Sequence, residues 1–442
     1  MTMEAHTLGL VEAARAIRDG RLDGAAYRAA LVERIRRIDP EIRAFTCLAD
    51  PDDAATGAGP LAGIPVAVKD IFATSGLPTT NGSQIYADRI PDADAWVVER
   101  LRSLGASVLG KTVTTEFAWR HAGPTRNPWN TAHTPGGSSS GSAAAVAAGL
   151  APLALGSQTF GSVIRPAAFC GVVGLKPSYG AIPRIGVHPL APSLDHVGVF
   201  TRSVADAAFA LSLLTAVSDA DPHGRPLPGF SLDTALAPLP APRLAFVRTS
   251  QWDVADTSQK ALTETAAARF GAAGGVVEDV VLPASFVGMW EAARTILACE
   301  ASAIFGPLAE RYPDLMSAVL KELVAEGAAI AAPAYIDALR LQAQLREELG
   351  TVLVGFDAIL TLPAAGPAPE GLDYTGNPAF CVPWTFLGVP AVNLPAGLHD
   401  GMPLGIQLVG RYRDDLHLLR VAAWCETILD HHTVPSLAAS GP

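Results

Sequence analysis

The chain has 442 residues, 49% of them hydrophobic and only 17% charged, with a formal net charge of −11 at pH 7. That is enough apolar sequence for a large core, and the acidic balance excludes nucleic acid and anionic membrane as main partners. No run of 18 apolar residues escapes interruption by glycine, proline or charge, which argues against a membrane-spanning helix.

Met1 to Leu10 carry Glu4 and no basic leader, so a cytoplasmic location is expected. The cysteines, Cys47, Cys170, Cys299, Cys381 and Cys425, are widely spaced and form no C-x-x-C pair. The histidines are scattered and form no H-E-x-x-H. Reduced thiols, no metal and no cofactor are the expectation.

Taken in order, residues 8–38 read as two helices. Leu8, Val11, Ala14 and Ile17 share one face, and Tyr27, Leu31, Ile35 and Ile38 share another. Gly20 and Pro40 punctuate them. Ile64 to Val68 is a short apolar strand with Lys69 at its end. A lysine there either emerges into solvent, the commoner case, or stays buried, loses its proton more readily and serves as a base. Residues 94–104 read as a helix and 107–109 as a strand, and Asn127-Pro128-Trp129-Asn130 is a rigid turn.

The stretch from Thr134 to Pro166 organises the rest. It holds two loops of small residues, Gly136 to Ser142 and Gln158 to Ser162, joined by an Ala/Val segment that reads as a tightly packed helix. Glycines allow close approach and positive φ, so the serines of the two loops can meet. Uncharged loops of this kind suit a site where backbone N–H groups face a developing oxyanion. A flexible linker would be longer and polar on both sides. A phosphate-binding loop would need a lysine, and none lies between Lys111 and Lys176. Gly137 to Gly141 also fits an esterase elbow, G-x-S-x-G, centred on Ser139. That elbow needs a preceding strand, and residues 131–136 end in proline and glycine.

Beyond Arg165, residues 171–177 read as a strand and 193–198 as a loop before a helix at 203–216. Asp195 is expected to hold loop backbone rather than to work with His196, since adjacent residues on an extended segment point opposite ways. Residues 217–240 read as a surface connection, 243–247 as a strand and 258–273 as a helix, followed by an apolar segment at 276–282. The alanine-rich stretch 287–350 is helical and reads as a cap over the site, with plain core packing as the other reading. A core strand at 356–361, a last strand at 405–410 and a helix at 416–428 complete the chain. The alternation predicts the α/β class: a large mixed β-sheet core covered by helices on both faces, a single unit over 1–442 with the cap at 287–350 inside it.

Lys69, Ser138 and Ser162 are the candidates for chemistry. A serine hydroxyl is a weak nucleophile until a base takes its proton, and with no histidine in these loops lysine is the plausible base. A free lysine titrates near about 10.4 and a useful base at roughly 7–8, so Lys69 has to be buried.

At these residues the chain resembles the amidase signature family. The resemblance rests on Gly63-Ile64-Pro65-Val66-Ala67-Val68-Lys69-Asp70, Asn127-Pro128-Trp129-Asn130, Thr134-Pro135-Gly136-Gly137-Ser138-Ser139, Gly161-Ser162, Phe169-Cys170-Gly171, Gly174-Leu175-Lys176-Pro177 and Gly405-Ile406-Gln407-Leu408-Val409-Gly410. It implies a Ser–cis-Ser–Lys triad. Ser162 would be acylated, Ser138 would relay the proton after a cis Gly137–Ser138 peptide, and Lys69 would be the base. The backbone N–H groups of Thr159, Phe160, Gly161 and Ser162 would form the oxyanion hole, Gly136 and Gly137 would lie against the substrate, and Ser139 would support the loop.

Two departures from the family pattern stand out. The family commonly has Asp-Thr-Gly-Gly-Ser where this chain has Gln158-Thr159-Phe160-Gly161-Ser162, so that Phe160 either fills the acyl pocket or packs behind the loop. Arg165 follows the nucleophile by three residues, as in the malonamidase-like branch, where such an arginine recognises a substrate carboxylate. The competing reading has Arg165 holding the loop itself. The function implied is an amidase acting on a small-molecule amide, with esters and carbamates open to the same site. The alternatives are the A subunit of a glutamyl-tRNA amidotransferase, which passes ammonia to a partner, the Ser139 esterase, and a non-catalytic binding protein. Oligomeric state is open, a homodimer included.

Overall fold

The computed structural model describes residues 5–50, 58–218, 220–227 and 229–439. The first four residues, part of the segment without a basic leader, lie outside them, as do Asp219 and Pro228 of the connection at 217–240. Among the described residues, eleven strands form one sheet. In chain order they are β1 (Phe45–Leu48), β2 (Pro65–Lys69), β3 (Ser107–Thr112), β4 (Leu153–Gln158), β5 (Val173–Lys176), β6 (His196–Thr201), β7 (Arg243–Val247), β8 (Val276–Val280), β9 (Ala358–Thr361), β10 (Ala391–His399) and β11 (Met402–Val409). Across the sheet the order is β1-β3-β2-β4-β6-β5-β10-β11-β9-β7-β8. β2 runs parallel to β3 and β4, and β7 parallel to β8 and β9; the other neighbours are antiparallel.

Every residue of β2, β3, β4, β5, β6, β9 and β11 is buried. Side chains alternate between the faces of a strand, so burial at every position means that both faces are covered. The helix Ser140–Ala147 packs on β4, Val204–Leu214 on β6 and Asp415–Leu429 on β10. The first of these lies wholly in the core, and its composition follows from the fit. A Cβ on Gly141 would stand 2.2 Å from the Ala44 carbonyl oxygen and 2.5 Å from Val113 N. No helix among the described residues is long and apolar enough to cross a membrane.

The N-terminal pair of helices forms over Leu10–Arg18 and Gly24–Ile42. Asp23 starts the second by accepting from Ala26 N at 2.8 Å. Pro40 does not end it: the helix runs two residues further and stops at Arg43, which takes a left-handed conformation at φ 56°. The stretch expected to be helical at 287–350 contains helices Met289–Arg311, Ala318–Ala328 and Ala332–Val352.

Three expectations need correction. Residues 196–198, read as loop, begin β6, which pairs with both β4 and β5. The serine helix does not run straight into the second loop, because β4 lies between them. β1 was not anticipated, and it pairs with β3 at the edge of the sheet. β4 lacks the β-branched run or the alternation that marks a strand in sequence, and β1 is only four residues long. β6, by contrast, carries Val197, Val199, Phe200 and Thr201 and was legible. Tertiary pairing supplies what local preference does not.

Candidate active site

β2 and β4 are hydrogen-bonded neighbours, with Val68 opposite Leu155. That register brings the ends of both strands to one place. Lys69 is the last residue of β2 and is fully buried. Its Nζ lies 2.7 Å from Ser138 Oγ and 2.8 Å from Ser157 Oγ. Burial drives its pKa well below the ordinary lysine value, opposed by the charge of Asp195. The buried reading of Lys69 therefore holds, and the amine is matched to two hydroxyls rather than to a carboxylate.

Ser157 was not singled out from the sequence. It sits just before the second loop at the end of β4, and the signal that would have found it is the strand itself.

Ser138 follows a cis peptide from Gly137. Its carbonyl accepts from Thr115 N at 3.2 Å. Gly136 takes φ 82°, and a Cβ there would meet Pro166 Cα at 2.9 Å. The Asn-Pro-Trp-Asn turn ties this loop to the helix Ile164–Cys170. Asn127 Nδ2 donates to the carbonyls of Thr134 at 3.1 Å and Phe169 at 2.9 Å, and Trp129 Nε1 donates to Cys170 O at 2.8 Å.

Ser162 stands in the turn before that helix. Gln158 shapes the turn: its Oε1 accepts from Val163 N at 2.9 Å and Ile164 N at 3.0 Å, while Nε2 donates to Thr385 Oγ1 at 2.8 Å. An amide at this position thus grips the turn on both sides. Thr159 Oγ1 donates to Asp195 Oδ1 at 2.6 Å. Asp195 Oδ2 accepts from Leu190 N and Ala191 N, the backbone-holding role expected of it.

Ser138 and Ser162 line one cavity of about 400 Å³ together with Thr159, Phe160, Gly161 and Arg165. Trp119 and Tyr374 also wall it, and Val319 enters from the helix Ala318–Ala328. Gly136 and Gly137 are not among its lining residues. Phe160 lies between the cavity and the aromatic residues around it. Its ring lines the cavity and packs edge-on against Trp119 at 6.2 Å and Trp290 at 5.9 Å between centroids. Arg165 is buried, with Nε donating to Thr375 O at 2.7 Å and Nη2 to Gly137 O at 2.6 Å. Its Nη1 has no protein partner. Ser139 is fully buried and bonded to the backbone of Ser157. No strand precedes it, so the elbow geometry is absent at this serine.

Comparisons with known proteins define a hydrolase acting on carbon–nitrogen bonds. The chain belongs to the amidase signature family: the Amidase family profile matches residues 29–419. The A subunit of the glutamyl-tRNA(Gln) amidotransferase of Exiguobacterium sibiricum is 32% identical over 466 residues, covering 95% of this chain and 97% of that one. The structure of 6-aminohexanoate cyclic dimer hydrolase with its substrate aligns at a TM-score of 0.88 and 26% identity, over 98% of this chain and 99% of the other. A peptide amidase in complex with the competitive inhibitor chymostatin aligns at 0.83 and 31% identity, over 97% and 98%.

Proposed function

We propose that this chain is a cytoplasmic amidase that cleaves a small amide through Ser162, Ser138 and Lys69, with an acyl-enzyme on Ser162. The observation that carries it is the Lys69–Ser138 contact of 2.7 Å, made at a fully buried lysine, beside a cavity that Ser162 also lines. A neutral amine has a lone pair, so Ser138 can donate its proton to Lys69 while accepting one from Ser162. Ser162 Oγ then attacks the carbonyl carbon. The proton held on Lys69 returns through Ser138 to the leaving nitrogen, and the amine departs. Thr159, Phe160, Gly161 and Ser162 line the cavity, and in this reading their backbone N–H groups supply the oxyanion hole.

Esters and carbamates offer the same carbonyl to the same nucleophile. The helices of 289–352 act as the cap of one amidase unit, through Trp290 behind Phe160 and Val319 in the cavity wall. All five cysteines are free, in keeping with a reducing compartment. The test is Ser162→Ala, which abolishes turnover and labelling by a fluorophosphonate while the fold persists. Full activity in that variant would remove the mechanism, and labelling at Ser139 would restore the esterase alternative.

A second reading is favoured by the relatives named as A subunits of glutamyl-tRNA(Gln) amidotransferases. It has the same site releasing ammonia from glutamine for a partner protein. The purified chain then shows little amidase activity alone and gains it on adding that partner. Arg165 separates substrate classes within the first reading. Its free Nη1 supports a carboxylated substrate, and its two carbonyl contacts support a structural role. Preference for malonamate over a neutral aryl amide would decide for the former.

A further inference from the structure

A second cavity, of about 340 Å³, lies on the other side of the nucleophile loop. It opens beside Ala220, Pro222 and His223, which are exposed, whereas the first cavity opens beside Arg120, His121 and Asp373. Ala118, Thr159 and Leu190 line both and form the partition. Ser157, whose hydroxyl is bonded to Lys69, lines only the second. The two cavities therefore approach the same lysine and the same loop from different mouths.

Most of the second cavity's surface is apolar, and Ser157, Thr159, Asp195 and His196 bring polar groups to it beside Lys69. His196 Nδ1 lies 2.7 Å from the Leu194 carbonyl, a contact that needs the ring proton on Nδ1. In a neutral ring Nε2 is then a bare acceptor. This atom is buried and has no partner in the protein. Burial keeps His196 in the neutral form by holding its pKa well below the ordinary value. Asp195, half-buried, also lines this wall beside Ser157 and Thr159. The Asp195 carboxylate, beside the hydroxyls of Ser157 and Thr159, offers acceptors on this wall to a small O–H donor. A cavity of this size holds several waters at about 30 Å³ each.

We propose that the second cavity is the water port of the active site. It admits the hydrolytic water past Thr159 and Leu190 while the acyl group fills the first cavity. The proposal rests on the Ser162 acyl-enzyme. With an acyl group among Trp119, Phe160 and Tyr374, the first mouth is closed to solvent by the substrate itself. Water from the second side adds its oxygen to the acyl carbon and gives one proton through Ser138 to Lys69. The bond from the acyl carbon to Ser162 Oγ then breaks, that oxygen takes the proton back through the same pair, and a carboxylic acid leaves.

The test plugs the port with Val187→Trp and, separately, Ala220→Trp, neither of which belongs to the catalytic machinery. The expected result is an unchanged rate of the first release of amine, followed by steady turnover slower by about tenfold or more. kcat and KM then fall together with kcat/KM preserved, the mark of slowed deacylation alone. Steady turnover equal to wild type, or a first release slowed equally, would overturn the port. Ala220 is exposed, so its variant decides the matter if Val187→Trp does not fold. Mass spectrometry of quenched wild-type enzyme separates the two levels. An acylated Ser162 whose turnover ignores the plugs removes only the port, and full turnover in Ser162→Ala removes the mechanism beneath it.

Discussion

Arg165 donates to the carbonyl of Gly137 at 2.6 Å, so the arginine three residues after Ser162 holds the backbone immediately before Ser138. The two serine loops are thereby tied by a bond that is independent of any substrate. Arg165→Met leaves the carbonyls of Gly137 and Thr375 without this donor. The expected cost is about 1–3 kcal/mol of stability, with kcat lowered on neutral and carboxylated amides alike. Urea melts and kinetics on both substrates check it. Unchanged stability with loss confined to carboxylated substrates would assign the arginine to binding alone.

Lys69→Met keeps the buried apolar stem and removes the proposed base. Turnover should fall by about 10²–10⁴-fold, while thermal stability holds or rises because an amine no longer has to be desolvated. In the wild-type enzyme burial lowers the lysine pKa well below its ordinary value. Activity is therefore present below pH 10 and declines only as pH falls through that lowered pKa and the amine gains its proton. A kcat/KM profile that rises until pH 10 and above would contradict a buried neutral base.

Lys176 gives a separate test of the same physics away from the chemistry. It is fully buried, bonds the carbonyls of Val389 at 2.5 Å and Pro177 at 3.2 Å, and is pulled by burial to about 7. In the unfolded chain a lysine titrates at about 10.4. Between those values the unfolded state binds a proton that the native state lacks, so this lysine makes stability rise with pH there. Lys176→Met should flatten that rise by up to one proton's worth of slope in melts from pH 7 to 10. Lys111, pulled to about 8 by burial, keeps part of the slope. A slope identical to wild type would show that Lys176 stays charged in the fold.

Gly136→Ala tests the first loop. The residue sits at φ 82°, where an L side chain is strained, and the added Cβ meets backbone of Pro166 at 2.9 Å. A destabilisation of about 1–3 kcal/mol is expected, with activity lost in proportion to the displacement of Ser138. A variant as stable and active as wild type would mean that the loop has room to adjust.

Much of the site was legible because its residues are unusual for their places. A lysine ending an apolar strand, and two glycine–serine loops without charge, have few structural explanations. Other parts carry no local mark. Thr375 lies 210 residues from Arg165 and completes its hydrogen bonding only in the folded chain. The small residues of β4 pass for the end of the helical joining segment until β2 and β6 pair with them on either side. Ser157 was hidden by the same omission. The partition residues Ala118 and Leu190 have no chemistry to announce them, and only their position between two cavities gives them meaning.

The order of these parts along the chain has its own consequence. Lys69, Ser138, Ser157 and Ser162 all fall within the first 162 residues, on β2, on β4, in the loop before the helix Ser140–Ala147 and in the loop after β4. Trp290, Val319 and the segment from Asp373 to Pro378, which back or wall the first cavity, come from the later part. The later stretch therefore supplies only part of the first cavity's wall, the rest coming from Trp119, Phe160 and Arg165 of the earlier one. Descendants can rewrite the later walls, by exchange or by drift, and leave Lys69, Ser138, Ser157 and Ser162 untouched.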